Sequence, residues 1–283
     1  MKRFTLTILL VAALLAACGQ AVTPLPPTPI PATAVPTALH IATAQPRTLT
    51  VFAAASLTAA FTELGKDFEG THPGVSVTFN FAGSGALRTQ LEQGAVADVF
   101  ASANMTEMNT LTTDKLIAAD FSQLFLTNSL LVILPANNPA NIQTLQDLAR
   151  PGIKLVLCDT TVPCGKYARQ ILANLDKDPA FAPDLSTQVL ANLVSNETDV
   201  KLVLSKVQLG EADAGIVYVS DAVAAPDLKT IQFPAADNVI AKYPIAVLKS
   251  ASQPDLAAYF IAYVLSPDGQ AIIKKWGFVP ITP

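Results

Sequence analysis

The chain of 283 residues is 51% hydrophobic and 14% charged, and its formal net charge at pH 7 is −4. Loss of Lys2 and Arg3 with an N-terminal leader would make the remainder more acidic still, which argues against a nucleic-acid-binding protein. The length permits one large or two medium domains with an ample core. Any anion site must rely on local donors rather than on a basic surface.

The first 18 residues have the layout of a lipoprotein signal peptide. Lys2 and Arg3 precede the apolar run LTILLVAALLAAC, which is too short to span a bilayer comfortably. The run ends in LAAC before Gly19 and resembles a bacterial lipobox, so we expect Cys18 to carry lipid. A plain signal peptide with a coincidental cysteine is the alternative. The lipid would hold the chain at the outer face of the cytoplasmic membrane, as its only membrane contact.

Residues 19–47 form a segment that is rich in Pro, Thr and Ala and contains no Asp or Glu. Such a segment buries too little apolar surface to offset its chain entropy, and proline biases it toward extended polyproline II. We therefore predict a disordered tether between the lipid and the folded part. His40 lies in this tether, where a single histidine is no indication of a ligand site.

Strand and helix patterns alternate after the tether. Strands are predicted at 48–54, 74–81 and 97–103, and helical patterns follow Ser56 and Ser84. This β-α-β-α-β order implies parallel strands that are joined by right-handed crossovers.

The alternation restarts after a hydrophobic strand at 128–135. The later elements are a short helix after Thr144, strands at 153–158, 214–220, 228–233 and 243–248, and helices that begin near Gly165, Asp199, Pro254 and Pro267. The two series predict an α/β fold with two lobes and a ligand cleft between them. Each lobe is expected to be a mainly parallel sheet flanked by helices.

The predicted lobe limits follow from the two points where the chain would pass between the series. Lobe 1 is assigned to 48–136 and 240–283, and lobe 2 is assigned to 137–239. The strands near 128–135 and 243–248 are therefore the expected crossover strands.

Cys158 and Cys164 lie six residues apart in CDTTVPC. An extracytoplasmic compartment permits disulfides, so a small bridged loop is one interpretation and two free thiols are the other. A metal site is less favoured, because no histidine lies nearby in the sequence.

Ser56 and Ser84 occupy equivalent places, since each follows a predicted strand and opens a predicted helix. A serine at this position commonly caps the helix with its hydroxyl. The start of a helix also offers free amides and a partial positive charge that suit an anion. Gly83 and Gly85 would let the backbone approach a ligand closely.

Nucleotide binding and serine hydrolysis are disfavoured by what surrounds these serines. The sequence has no phosphate-binding G-x-x-x-x-G-K-[ST] run, and Ala82 and Ala86 replace the glycines of the G-x-S-x-G hydrolase turn. A serine nucleophile also needs a base, and after the tether only His72 is present, in a turn-like THPG segment.

A set of motifs in order along the chain carries a specific resemblance. The blocks are VFAAASLTAAF, FAGSGALRTQLEQGAVADVFASA, NSLLVILP, VPCGKYA, ETDVKLVL, GIVYVSDA, YPIAVL and WGF. Together they resemble the molybdate-binding proteins of ABC transporters, a group II family of periplasmic-type solute receptors. The similarity covers nearly the whole chain after the tether.

The resemblance implies a tetrahedral oxyanion that is bound in the cleft by uncharged donors. Ser56 and Ser84 would each give a hydroxyl and a backbone N–H, Cys164 and Val200 would give backbone N–H groups, and Tyr218 would give its phenol. Tyr218 could instead be a core residue, and Val200 could be only an apolar helix residue. No cofactor and no protein-bound metal ion are expected, apart from molybdate or tungstate as ligand.

The sequence departs from the commoner family pattern at Cys164, where a small residue such as alanine is frequent. Because the expected donor there is the backbone, the cysteine need not disturb the site. Asp199 and Glu197 would weaken a donor-only site if they turned inward. The charges of Arg88, Lys166 and Lys201 are interpreted as ordinary solvated helix charges.

The resemblance implies a monomeric, non-enzymatic receptor that delivers molybdate, and also tungstate, to a membrane permease and its ATPase. A receptor for another oxyanion such as sulfate is the first alternative. A secreted serine hydrolase, with a base near Ser56 or Ser84, belongs to a different class. A binding lipoprotein without a transport role is a third alternative.

Overall fold

The computed structural model describes residues 46–118 and 121–281. The predicted signal peptide, Cys18 with its lipid, and residues 19–45 of the predicted tether lie outside the described residues. The folded chain begins with a strand at Arg47, which is where the sequence places the end of the tether.

The described part alternates strands and helices almost throughout. Its strands are β1 (Arg47–Ala54), β2 (Val75–Ala82), β3 (Val99–Ala101), β4 (Gln123–Asn128), β5 (Leu130–Leu134), β6 (Leu155–Cys158), β7 (Leu193–Glu197), β8 (Ala214–Tyr218), β9 (Lys229–Gln232), β10 (Ala241–Val247) and β11 (Val279–Pro280). Its α-helices are α1 (Thr58–Thr71), α2 (Ser84–Glu92), α3 (Met105–Thr113), α4 (Pro163–Leu175), α5 (Leu185–Ala191), α6 (Val200–Gln208), α7 (Val219–Val223), α8 (Pro254–Leu265) and α9 (Pro267–Lys275). Short 3₁₀ turns lie at Ala55–Leu57 and Gln146–Ala149.

The first sheet has the strand order β11-β4-β10-β3-β1-β2. β1 pairs in parallel with β2 and β3, which confirms the parallel arrangement predicted from the β-α-β-α-β order. β10 is antiparallel to both of its neighbours, β3 and β4, and β11 closes the edge antiparallel to β4. This sheet and its helices are called lobe 1 below.

The second sheet has the order β7-β6-β8-β5-β9, and it defines lobe 2. β6 is parallel to β7 and β8, whereas β5 is antiparallel to β8 and β9. The two-lobe α/β fold is therefore confirmed, but both sheets are mixed rather than mainly parallel.

The antiparallel strand inside each sheet follows from how the chain enters that sheet. β5 begins beside the end of β8, with Leu130 opposite Tyr218, and β10 begins beside the end of β4, with Ala241 opposite Asn128. Each enters from the other lobe, at the edge where the neighbouring strands finish. Such a strand must run opposite to its neighbours.

The chain changes sheets at Ser129, between β4 and β5, and returns between Gln232 and Ala241. The predicted limit at residue 136 would place β5 in lobe 1, whereas its hydrogen-bonded neighbours β8 and β9 lie in lobe 2. The change of sheet cannot be predicted from the sequence, because a single residue, Ser129, separates two apolar strands that belong to different sheets.

Aromatic packing holds α1 and α8 against the first sheet. Phe61 of α1 meets Phe125 of β4 and Phe260 of α8 edge-on, with ring centroids 5.8 and 6.1 Å apart, and all three rings are buried. Such pairs contribute about 0.5–1.5 kcal/mol each beyond their buried area.

Within the described residues, no single helix has the length and apolarity needed to cross a membrane. Taken together, α8 and α9 have the length and composition of a membrane-spanning segment, but the two helices are bent by 64° relative to each other.

Candidate functional site

A small pocket lies where elements of both lobes meet. It is lined by Ala54, Ala55, Ser56, Gly83, Ser84, Ala103, Val162, Pro163, Cys164, Asp199, Val200 and Tyr218. Its volume, taken as the space open to the centre of a water-sized sphere, is about 20 Å³. This space admits a roughly spherical object of about 3 Å radius, so the pocket suits one small ion.

All five residues that the resemblance implies as ligands come together at this pocket. From lobe 1, Ser56 lies in the 3₁₀ turn after β1 and Ser84 is the first residue of α2. From lobe 2, Cys164 is the second residue of α4, Val200 is the first residue of α6, and Tyr218 ends β8. Their common location is observed, whereas their role as ligands stays a prediction.

Three helices, α2, α4 and α6, begin at the pocket. The first amides of a helix have no partner within it, and the helix dipole adds partial positive charge at the same end. The Asp199 side chain caps α6 by accepting from the amides of Lys201 and Leu202, at 2.8 and 3.2 Å, which leaves the Val200 amide outside the cap. The pocket therefore lies beside the N–H groups of three helix starts, an arrangement that suits an anion.

The two serines do not cap their helices, contrary to the simplest interpretation of the sequence. Ser84 Oγ accepts from the Ala103 amide at 3.0 Å, and the N-cap of α2 is Gly83. Ser56 Oγ lies 2.9 Å from the Tyr243 hydroxyl. Because the Ser84 oxygen serves as an acceptor, its O–H proton is available to an occupant of the pocket.

The Tyr218 hydroxyl is the most informative atom of the site. The residue is only 1% exposed, and its Oη makes no hydrogen bond of normal geometry within residues 46–118 and 121–281, although the Tyr243 hydroxyl lies near it. Burial raises the pKa of this phenol well above its ordinary value, so it stays a proton donor at neutral pH. A buried, unpaired hydroxyl is costly unless a ligand accepts its proton.

The charged side chains near the pocket are already paired with protein groups. Asp199 is the one charged residue in the described lining, and it caps α6. Glu197 turns away to Lys206, at 2.6 Å, and to the Ser195 hydroxyl. The arrangement therefore places no free cation in the described lining, and the acidic side chains are held by protein groups, Asp199 through its Oδ1 oxygen.

The neighbouring cations are paired as well, and are not the freely solvated charges expected from the sequence. Lys201 Nζ lies 2.7 Å from buried Asp221. Arg88 and Lys166 both reach Glu107, which is 4% exposed, at 2.8 and 3.3 Å. The Lys166–Glu107 pair joins α4 of lobe 2 to α3 of lobe 1.

The two lobes are in close contact at the pocket. The backbone of Gly83, in lobe 1, packs so tightly on lobe 2 that an added Cβ would lie 2.5 Å from the Thr198 carbonyl oxygen and 2.8 Å from Val162 Cγ1. An added Cβ at Gly85 would likewise lie 3.2 Å from the Thr161 carbonyl oxygen. The cleft is therefore closed over the pocket.

Cys158 and Cys164 form a disulfide, with their Cα atoms 5.7 Å apart. The bond joins the end of β6 to the first turn of α4, where Cys164 lines the pocket. Of the two interpretations of these cysteines, the bridged loop is the one observed. It restrains one of the candidate donor amides.

Replacing both cysteines by alanine, Cys158→Ala with Cys164→Ala, is expected to lower the free energy of unfolding by about 2 kcal/mol. The cause is the greater freedom of the unfolded chain once the short loop is no longer closed. Urea unfolding of the two proteins without ligand measures the difference. Equal stability would mean that the bridge contributes nothing to the fold.

Tyr243 and Ala103 contact the site serines but were not found from the sequence. Tyr243 is separated from Ser56 by 187 residues, and Ala103 is separated from Ser84 by 19. Tyr243 lies in a predicted apolar strand. It comes close to Ser56 because β10 pairs with β3, and β3 pairs with β1, the strand that precedes Ser56. No local signal in the sequence reports such a contact.

Comparisons with known proteins identify the family to which the chain belongs. Residues 49–279 match the family model described as bacterial extracellular solute-binding protein. The molybdate-binding protein ModA of Mycobacterium tuberculosis is 44% identical over 233 residues, which cover 82% of this chain and 84% of that protein.

Two of the solved structures that share the fold are described as molybdenum or molybdate receptors. One, assigned as the substrate-binding domain of a molybdenum ABC transporter from Clostridium difficile, is 32% identical with a TM-score of 0.62, and the match covers 83% of this chain and all of that one. The periplasmic molybdate-binding protein of Azotobacter vinelandii has a TM-score of 0.72 at 22% identity, over 83% and 100% of the two chains. The chain therefore belongs to the bacterial extracellular solute-binding protein family, within the group that includes the ModA proteins.

Proposed function

We propose that this protein is an extracytoplasmic receptor that binds molybdate, and also tungstate, in the pocket between its lobes. The observation that carries the proposal is the unpaired, buried hydroxyl of Tyr218 beside the hydroxyls of Ser56 and Ser84. The relatives that bear the name molybdate-binding protein support this choice of ligand.

The proposed binding chemistry uses uncharged donors. Hydroxyls of Ser56, Ser84 and Tyr218, with the amides of Cys164 and Val200, would surround a tetrahedral dianion. Amides at helix starts stabilise such a charge without a lysine or arginine in contact with it. The pocket admits a roughly spherical object of about 3 Å radius, which fits one ion of this kind.

Selectivity against hydrogen phosphate follows from the same set of groups. Molybdate, tungstate and sulfate are fully deprotonated at neutral pH and only accept hydrogen bonds. Hydrogen phosphate carries a proton that needs an acceptor. Glu197 is engaged with Lys206, and Asp199 caps α6 through Oδ1, so rejection of hydrogen phosphate requires Asp199 Oδ2 to stay out of contact with the anion. An unpaired donor in the pocket would cost roughly 1–3 kcal/mol.

The proposal includes delivery of the bound anion to a membrane permease and its ATPase. Membership of a solute-binding family supports these partners. Closure of the lobes over the anion would create the form that the permease recognises. We further propose that the receptor is monomeric, is anchored through Cys18 and has no enzymatic activity.

A serine hydrolase would need a base beside Ser56 or Ser84. His72, the histidine considered for that role, lies at the C-terminal end of α1, where its ring stacks on Phe68 with centroids 4.0 Å apart. It is not among the residues that line the pocket. The donor-lined pocket therefore favours binding over hydrolysis.

Calorimetric titration of the protein, first stripped of bound anion, tests the proposal. We expect tight 1:1 binding of molybdate and tungstate, and far weaker binding of sulfate and phosphate. Tighter binding of sulfate or phosphate would make the ligand assignment wrong while leaving an oxyanion site. Absence of binding for all four anions would refute the proposed role of the pocket.

A further inference from the structure

Tyr243 is a fully buried residue that lies behind the pocket rather than in it. It belongs to β10, its side chain has no exposed surface, and it is absent from the residues that line the pocket. It nevertheless contacts two residues that do line the pocket, one from each lobe. Tyr243 would therefore affect a bound anion only indirectly, through those two residues.

The first contact is the hydrogen bond of 2.9 Å between the Tyr243 hydroxyl and Ser56 Oγ. Each hydroxyl has one proton and can accept two more, so the direction of this bond decides where the serine proton goes. If Tyr243 donates, the Ser56 proton is free for the anion. If Ser56 donates, the anion loses that donor and meets only the lone pairs of the oxygen.

The second contact is with the ring of Tyr218. The two rings meet edge-on, with centroids 5.9 Å apart and an interplanar angle of 71°. Phe125 and Phe278 pack edge-on against other parts of the Tyr243 ring, with centroids at 6.5 and 5.7 Å. The ring is thus held firmly, and its hydroxyl cannot swing away from Ser56 without disturbing this cluster.

We propose that Tyr243 is a positioning residue for the oxyanion site: its hydroxyl donates to Ser56 Oγ and thereby commits the Ser56 proton to the ligand. The inference rests on the proposed function and assigns a role to a residue outside the shell of direct donors. Burial raises the pKa of Tyr243 far above its ordinary value, so it keeps its proton throughout the neutral range. A dianion in the pocket favours this direction, because the Ser56 proton then points at a charged acceptor rather than at a neutral phenol oxygen.

A double-mutant cycle of Tyr243→Phe with Ser56→Ala tests the proposal. Phenylalanine keeps the ring and its packing and removes only the hydroxyl. We expect Tyr243→Phe to weaken molybdate binding about tenfold, because the hydrogen bond from Ser56 to the charged ligand is weakened when the serine proton is no longer directed. In the Ser56→Ala background, the same change is expected to have no further effect on affinity.

The cycle separates positioning from a general structural role. If Tyr243→Phe weakens binding equally with and without the Ser56 hydroxyl, Tyr243 acts through packing or through Tyr218 rather than through Ser56, and the proposal is wrong. If Tyr243→Phe binds like the wild type, the hydroxyl has no role and the proposal is also wrong. If the wild type fails to bind molybdate, the proposed function itself fails, which is a different result.

Tyr263→Phe provides the matched control. Tyr263 also carries a hydrogen-bonded hydroxyl, to Asp67 of α1, but it lies outside the pocket lining. Its loss is expected to leave molybdate affinity unchanged. Thermal unfolding of every variant without ligand verifies that each one folds.

Discussion

Replacing Gly83 by alanine is expected to weaken molybdate binding by roughly 5- to 150-fold while leaving each lobe folded. Gly83 has φ of −58°, a conformation that alanine adopts freely, so the backbone itself does not forbid the change. The added Cβ would instead meet the Thr198 carbonyl oxygen at 2.5 Å and Val162 Cγ1 at 2.8 Å, across the closed cleft. Overpacking of this kind costs about 1–3 kcal/mol.

The cost is expected in binding rather than in folding, because opening of the lobes relieves the clash. Calorimetric titration measures the affinity, and thermal unfolding without ligand measures stability. Gly70→Ala is the matched control, since an added Cβ at Gly70 of α1 would meet nothing within 4 Å. Wild-type affinity in Gly83→Ala would mean that binding does not require the lobes to close this tightly.

Replacing Tyr218 by phenylalanine is expected to change stability and affinity in opposite directions. Without ligand, the variant loses a buried hydroxyl that makes no hydrogen bond among the described residues. Its free energy of unfolding should therefore rise by about 1–3 kcal/mol. With molybdate, it lacks one donor to a dianion. The affinity should fall by roughly 10- to 150-fold.

Urea unfolding without anion and calorimetric titration with molybdate measure the two effects. The Tyr263→Phe control should show neither the gain in stability nor the loss of affinity. A Tyr218→Phe protein with lower stability and unchanged affinity would show that the hydroxyl serves the fold, through contacts that form without the ligand.

Much of the fold was predictable because apolar periodicity reports burial directly. The parallel arrangement of β1, β2 and β3 followed from the alternation of strand and helix patterns. The mixed character of both sheets did not, since strand direction depends on which edge the chain enters. β4 and α3 were not predicted, and the predicted limit at residue 136 assigned β5 to lobe 1, whereas its sheet belongs to lobe 2.

The site was partly predictable for a different reason. The motifs that carry Ser56, Ser84, Cys164, Val200 and Tyr218 are short, local and in order along the chain. The structure places all of these residues at one pocket. What local motifs cannot report is the supporting contact, such as Tyr243 behind Ser56, or the close approach that Gly83 permits between lobes.

A crystal structure of the molybdate complex, with anomalous scattering from molybdenum, tests the central claim most directly. We expect one strong peak inside the pocket, with ligand oxygens within hydrogen-bond distance of the Ser56, Ser84 and Tyr218 hydroxyls and the Cys164 and Val200 amides. A peak elsewhere, or an anion held by Lys166 or Arg88 instead of these uncharged groups, would contradict the account.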